Sequence, residues 1–226
     1  MLHKTEGIVI RSIDYGESHK IITLYTKEHG KISLMARGAK KPKSRLSAIT
    51  QLFTYGLFLF FRPNPRGMGT LSQGERLKSF NAIRHNLVMT AYASYFAELV
   101  DKMMDDDEHH PDLFPLLLSV FSQLDEGKDP AFLARLFELK MIILGGYKPE
   151  LERCVVCRKE EGPFLFSVKE GGLLCSSCQG RDPQALQLGE NGVKLLRFLY
   201  HFQPARLGKV NVRPATLENL RLVLWR

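Results

Sequence analysis

Apolar and polar positions alternate in short runs between residues 5 and 79. The runs "EGIVIRSI", "HKIITLYTK", "KISLMAR", "TQLFTYGLFLFF" and "GTLSQGERLKS" are β-branched or aromatic, and turn residues separate them at Asp14-Tyr15-Gly16, at His29-Gly30 and across 63–67. That pattern predicts five β-strands. In the third, Ile32, Leu34 and Ala36 fall on one face and Lys31, Ser33 and Arg37 on the other. In the second, Ile22 and Leu24 separate from Tyr25 and Lys27. Side chains alternate across a strand, so each set marks a core face and a solvent face. Five strands in so short a span predict a small closed barrel of the OB type, a scaffold that holds nucleic-acid strands on its outer face and loops.

The period lengthens at Phe80. Phe80, Ile83, Leu87, Ala91, Tyr95, Leu99 and Met103 recur at steps of three and four, which predicts one long amphipathic helix. "DDDEHHPD" interrupts it, and Pro111 is placed to start a second helix reaching Leu124. A third helix has Asp129 as N-cap, Pro130 in its first turn and Gly145-Gly146 as its stop. Two shorter helices are expected in "NGVKLLRFLYHF" and "TLENLRLVLW". The predicted class is α+β multidomain: an OB barrel over 1–79, a helical domain over 80–150 and 183–226, and an insert over 151–182. The chain has no apolar run near the roughly 18 residues that cross a bilayer and no signal peptide at its start, so a cytoplasmic protein is expected.

Charge sharpens the picture because it is unevenly spread. Residues 1–80 carry 14 Lys and Arg against 5 Asp and Glu, whereas the remainder is nearly neutral. A polyanion-binding module joined to a neutral body follows. Its densest part is "RGAKKPKSRLS" at 37–47, where Arg37, Lys40, Lys41, Lys43 and Arg45 stand without an acid. Lys20, Lys27, Lys31, Arg62, Arg66 and Arg76 add cations in neighbouring strands and turns, and Tyr15, Tyr25 and Phe53 are candidate stacking faces for bases. A charge run is more often a plain solvated loop; the barrel and the surrounding cations favour a phosphate-tracking groove. "DDDEHHPD" reads as a solvated acidic loop, not as a metal site built on His109 and His110.

The cysteines form two pairs, "CVVC" (Cys154, Cys157) and "CSSC" (Cys175, Cys178), separated by 17 residues. Two C-x-x-C pairs supply the four thiolates of a tetrahedral zinc site, and "GPFLFSVKEGGLL" between them reads as a zinc-ribbon-like hairpin. The competing reading, a pair of redox dithiols, calls for a neighbouring βαβ unit that the pattern lacks. Four thiolates leave no open position on a metal, so zinc here is structural. No phosphate loop, nucleophile elbow, zincin motif or dinucleotide fingerprint is present, and nothing argues for an enzyme.

The run "GIVIRSIDYGESHKIITLYTKEHGKISLMARGAKKPKSRL", followed by "FTYGLFLFFR" and "GTLSQGE", resembles the N-terminal domain of the bacterial recombination mediator family RecO. "ELKMIILGGYKPELERCVVC" with "FLFSVKEGGLLCSSC" is similar to that family's helical domain and zinc-binding insert. The resemblance covers essentially residues 1–180, and family members usually continue past "LENLRLVLWR". It implies an OB domain that binds single- and double-stranded DNA and anneals complementary strands. It also implies RecR as a partner, contact with the acidic C-terminal tail of single-stranded-DNA-binding protein, help in loading RecA onto coated strands, and a nucleoid-associated location. Arg37, Lys40, Lys41, Lys43 and Arg45 are then the expected phosphate contacts, helped by Lys20, Lys31, Arg62 and Arg76. Arg135 in "RLFEL" is the expected partner of the tail carboxylate, with Lys140 an ordinary exposed cation. The rival is an RNA-binding or transcription- or ribosome-associated zinc-ribbon factor with an OB domain.

Overall fold

A computed structural model describes residues 1–64, 67–202 and 211–225; Arg66, named above among the cations, lies outside the described residues. These residues form two compact units, 1–128 and 129–226.

The first unit is built on the expected strands: β1 (Leu2–Tyr15), β2 (His19–Thr26), β3 (Gly30–Ala36), β4 (Tyr55–Phe61) and β5 (Gly69–Lys78). They close into a barrel in the order β1-β2-β3-β5-β4, the OB topology. β1 serves two neighbours: its first half pairs with β4 and its second with β2, with a bulge between Val9 and Arg11 where it turns from one to the other. β3 meets β5 in parallel through Leu34↔Gly69 and Met35↔Thr70. The alternation in β3 is as predicted, with Ile32, Leu34 and Ala36 buried. β2 departs from it, because Tyr25 is also fully buried.

Residues 37–54, between β3 and β4, plug the open end of this barrel. Ala39, Leu46 and Ile49 join the barrel core of Val9, Ile22, Leu24, Ile32, Leu34, Ala36, Phe58, Phe60 and Leu71. Ile49 lies over β4 and β5 where both strands have glycine: a Cβ on Gly56 or Gly74 would fall 2.5 or 2.6 Å from the Ile49 side chain. The segment has no helix or strand, but successive turns hold it. Lys41 N–H donates to Gly38 O, Ser44 to Lys41, Ser47 to Ser44 and Thr50 to Leu46, at 3.1–3.2 Å. Phe53 N–H donates to Val9 O and Val9 N–H to Thr54 O, stitching its end to the β1 bulge.

Helices α1 (Asn81–His85), α2 (Leu87–Met103) and α3 (Leu113–Asp125) complete the first unit. The single helix expected from Phe80 to Met103 is thus two. Asn86 is extended and its side chain accepts from Met89 N–H at 3.1 Å, so it caps a new helix and resets the phase. The buried stripe of α2 is accordingly Ala93, Phe96, Ala97 and Val100, while Leu87 and Ala91 are exposed. Phe80 is left-handed, as is Phe53, and both rings meet Phe121 edge-on with centroids 5.6 Å away.

In the second unit, α4 (Pro130–Leu144) starts as expected, Asp129 accepting from Ala131 and Phe132 N–H, and stops at Gly145. β6 (Phe164–Ser167) and β7 (Gly172–Cys175) form the expected hairpin, to which β8 (Leu186–Gln187) adds a third strand. α5 (Gly189–His201) and α6 (Pro214–Leu224) follow. Among the described residues, no helix is long and apolar enough to cross a membrane.

Replacing Ile49 with Ala removes most of the side chain that packs on Gly56 and Gly74. Stability is expected to fall by about 2–5 kcal/mol, the usual cost of emptying a well-packed aliphatic site, as measured by urea denaturation of the full chain.

Candidate nucleic-acid interface and metal site

Burying Ala39, Leu46 and Ile49 leaves the polar side of the plug outside. Arg37, Lys40, Lys41, Lys43 and Arg45 are all exposed. The backbone sets them there through left-handed turns at Gly38 and Lys43, through Gly38 N–H on His19 Nδ1 at 2.9 Å, and through Lys40 N–H on Ser18 O at 3.0 Å. Among the described residues one acid reaches the run: Asp14, at the end of β1, holds Lys40 Nζ at 2.7 Å and Lys20 Nζ at 3.8 Å. The Lys40 hydrogen bond holds the Asp14 carboxyl below its ordinary range. Tyr15 beside it is exposed. Lys20, Arg37 and the lysines of the plug therefore share one end of the barrel, and Arg76, on β5, is exposed as well.

Two of the expected phosphate contacts are placed differently. Lys31 donates to Asp101 O at 2.8 Å and faces the Asp101 and Asp106 carboxylates at 3.7 and 3.6 Å. Arg62 clasps Asp107 with both terminal nitrogens and donates Nε–H to Gly67 O at 2.6 Å. Their side chains are 12% and 9% exposed, so these cations hold the fold together. Asp101 belongs to α2, whereas Asp106 and Asp107 come from the segment expected to be a solvated loop. It is instead a strap on the barrel: Asp107 N–H donates to Lys31 O at 2.9 Å, His109 Nε2 meets Lys27 O at 2.7 Å, and His110 N–H donates to Tyr25 OH at 3.3 Å. Gly30 makes this approach possible. It has φ 62°, and a Cβ there would sit 1.9 Å from Glu108 O. Tyr25 is thus an anchor inside the fold and Phe53 a core ring, and neither offers a face to a base. The sequence carried one clue to the strap, a dense acid run following a basic module, but nothing in it says where that run lies.

In the second unit the four cysteines converge, their sulfurs all within 4.8 Å of one another. "CVVC" forms a tight turn: Arg158 is left-handed and donates N–H to Cys154 O at 3.0 Å, and Cys154 N–H donates to Lys159 O at 2.8 Å. "CSSC" starts at the end of β7 and runs into a 3₁₀ helix, Ser176–Arg181. A tetrahedral ion with thiolates at about 2.3 Å has its sulfurs about 3.8 Å apart; the Cys157 and Cys175 sulfurs are 3.5 Å apart. The donor set therefore fits a metal. Burial pushes the Cys154 thiol up, but N–H groups of Cys157, Cys175 and Val156 and the Cys157 thiol outweigh it and bring it to about 6. Cys178 is pushed up to about 12, by burial and then by the other three thiols. The surrounding core is small, with Cys154, Leu174 and Cys175 buried.

Arg135 is not the rim cation that its place in an apolar helix suggested. Its side chain is 7% exposed and donates to Glu138 Oε1 at 2.7 Å, and Trp225 Nε1 donates to the same oxygen at 3.1 Å. Lys140 is also engaged, donating to Tyr200 O at 2.6 Å, and burial lowers its pKa.

The family pattern described as "Recombination protein O N terminal" matches residues 1–80, and "Recombination protein O C terminal" matches 84–225. Curated relatives agree over 99% of this chain. A protein of Halalkalibacterium halodurans is 49% identical across 87% of its own length, one of Bacillus mycoides 47% across 90%, and one of Bacillus subtilis 46% across 87%. Each carries the name "DNA repair protein RecO". With both domain patterns matched in order over a closed OB barrel and a helical, four-cysteine unit, the chain belongs to the RecO family.

Proposed function

We propose that this protein is a non-enzymatic mediator of DNA repair and recombination that binds and anneals DNA through the outer face of its barrel plug. The observation that carries the reading is the two-sided segment 37–54. Its apolar side chains are fixed in the barrel and its five cations are held outward on a backbone of closed turns. A polyanion meeting such a surface does not have to order it first, so little binding energy is lost to ordering. Arg37, Lys40, Lys41, Lys43 and Arg45 are the proposed phosphate contacts, with Lys20 beside them and Arg76 a further one on β5. Lys31 and Arg62 leave that set because carboxylates already hold them. Asp14 is a local stand-in for a phosphate, exchanged when Lys40 takes a DNA oxygen.

The four-cysteine site is proposed to hold structural zinc, which suits four soft thiolates at this spacing. Cys154 and Cys157 would hold it from one turn and Cys175 and Cys178 from the other. Bound zinc supplies the charge that lets all four sulfurs ionise and ties the small sheet together. The family's partners are proposed for this chain too: RecR, the acidic tail of single-stranded-DNA-binding protein and, through them, RecA on coated strands in the cytoplasm. For the tail, Arg135 acts indirectly, by shaping the helices around its buried ion pair.

Three outcomes are expected. Reversing Lys40, Lys41 and Lys43 to Glu weakens single-stranded DNA binding while the urea midpoint stays close to that of the wild type. With about five phosphates neutralised, the wild-type salt slope is near −3.5, roughly a 100-fold loss from 50 to 200 mM, and the variant is shallower; equal affinity and slope would remove the plug from the site. Cys154→Ser or Cys178→Ser lowers zinc content below about one equivalent and destabilises the second unit more than it weakens DNA binding, checked by metal analysis and denaturation. Arg135→Ala costs about 3–5 kcal/mol, as removing one partner of a buried ion pair does, and its stability must be measured beside any change in tail-peptide affinity.

A further inference from the structure

One cation beyond the plug has been given a rigid, neutral seat. Arg84, on α1, donates Nε–H to Ser79 O at 2.6 Å, Nη1–H to Gln51 Oε1 at 3.0 Å, and Nη2–H to Leu52 O at 2.6 Å and Thr54 Oγ1 at 2.9 Å. All four acceptors are uncharged. No carboxylate lies within ion-pair distance among the described residues, although Arg11, Lys31 and Arg62 in the same unit each have one. A guanidinium has five N–H groups, so one on Nη1 remains unused.

The seat is built from strained backbone. Leu52 and Ser79, whose carbonyls Arg84 binds, precede Phe53 (φ 63°) and Phe80 (φ 48°). A bulky residue is strained in the left-handed region, and such strain collects at functional sites. Here the edge-on contacts of both rings with Phe121 hold the two residues in place. Arg76 is exposed on β5 opposite Gly56, two residues on from the Thr54 that Arg84 binds, and its side chain makes no hydrogen bond or ion pair among the described residues. Burial first, and Arg76 second, pull the Arg84 guanidinium below its ordinary pKa. Arg84 is partly buried and held by four hydrogen bonds, and neither cation has an ion pair among the described residues.

We infer that Arg84 and Arg76 form a second phosphodiester seat, at the end of the plug where residues 51–54 lead into β4. It lies beyond the cations of 37–45, so a single strand bound to the plug would continue along it. The Arg84 fork fixes the position and Arg76 adds a mobile second charge. This rests on the proposed DNA binding and extends it to a residue from outside the barrel.

The test uses the full chain and a labelled oligothymidylate. Arg76→Ala is expected to weaken binding about tenfold, the scale of one charge-assisted hydrogen bond, and to make the salt slope shallower by about 0.7. Its urea midpoint is expected to match the wild type. Arg84→Lys keeps the charge but not the fork, so it is expected to weaken binding as well. In that background Arg76→Ala should add less than it does alone, because the two side chains share one phosphate. Unchanged affinity and slope for Arg76→Ala would overturn the seat, and that variant alone decides the matter if Arg84→Lys fails to fold. Fully additive effects would also overturn it. A wild type that binds no oligonucleotide would instead overturn the underlying reading of the plug.

Discussion

The packing of Ile49 over Gly56 and Gly74 is the contact on which the first unit turns. A five-stranded barrel of this size is open at its ends, and something apolar has to close it. Here the closing element is an irregular segment held by its own turns. Two strands give up their side chains beneath it so that Ile49 can approach the sheet directly. Ala39 and Leu46 follow it into the core. Once those three positions are fixed, the intervening lysines and arginines can only face outward. The cationic surface is therefore a by-product of barrel closure, which is why a segment of like charges can stay ordered.

Charge in this unit sorts by partner. Lys31 and Arg62 are nearly buried and fasten the acidic strap to the barrel, whereas Arg11 and Lys27 meet carboxylates at the surface. Cations of the plug meet almost none, Asp14 being the exception. Exposed pairs in water contribute little to stability, whereas shielded ones organise structure, so the two classes perform different work with the same residue types. The strap offsets positive charge in one region of the barrel and leaves that of the plug largely unpaired among the described residues.

Much of this was legible in the sequence because it follows from local rules. Alternation in β3, the Asp129-Pro130 start and Gly145 stop of α4, and the paired C-x-x-C turns depend on neighbours within a few residues, and each appears as predicted. What was missed depends on distant parts of the chain. The period of three and four ran on through Asn86, but capping by that residue broke the helix and moved the buried stripe to Phe96 and Val100. Tyr25 and Phe53 read as aromatic platforms until the strap and Phe121 covered them. Arg135 read as a rim cation because Glu138 and Trp225, three and 90 positions along the chain, could not be placed around it. The role of Arg84 depends on four acceptors from two segments that no local pattern brings together.

The central claim is that the plug is ordered before any polyanion arrives. Amide hydrogen exchange across residues 37–54, with and without single-stranded DNA, tests it most directly. The account predicts that the Ser44, Ser47, Thr50 and Phe53 amides, each donating within a turn or to β1, are protected in the free protein and change little when DNA binds. Fast exchange at these amides in the free protein, with protection appearing only on DNA, would contradict it: the cations would then sit on a segment that folds on binding, and barrel closure would not be what presents them.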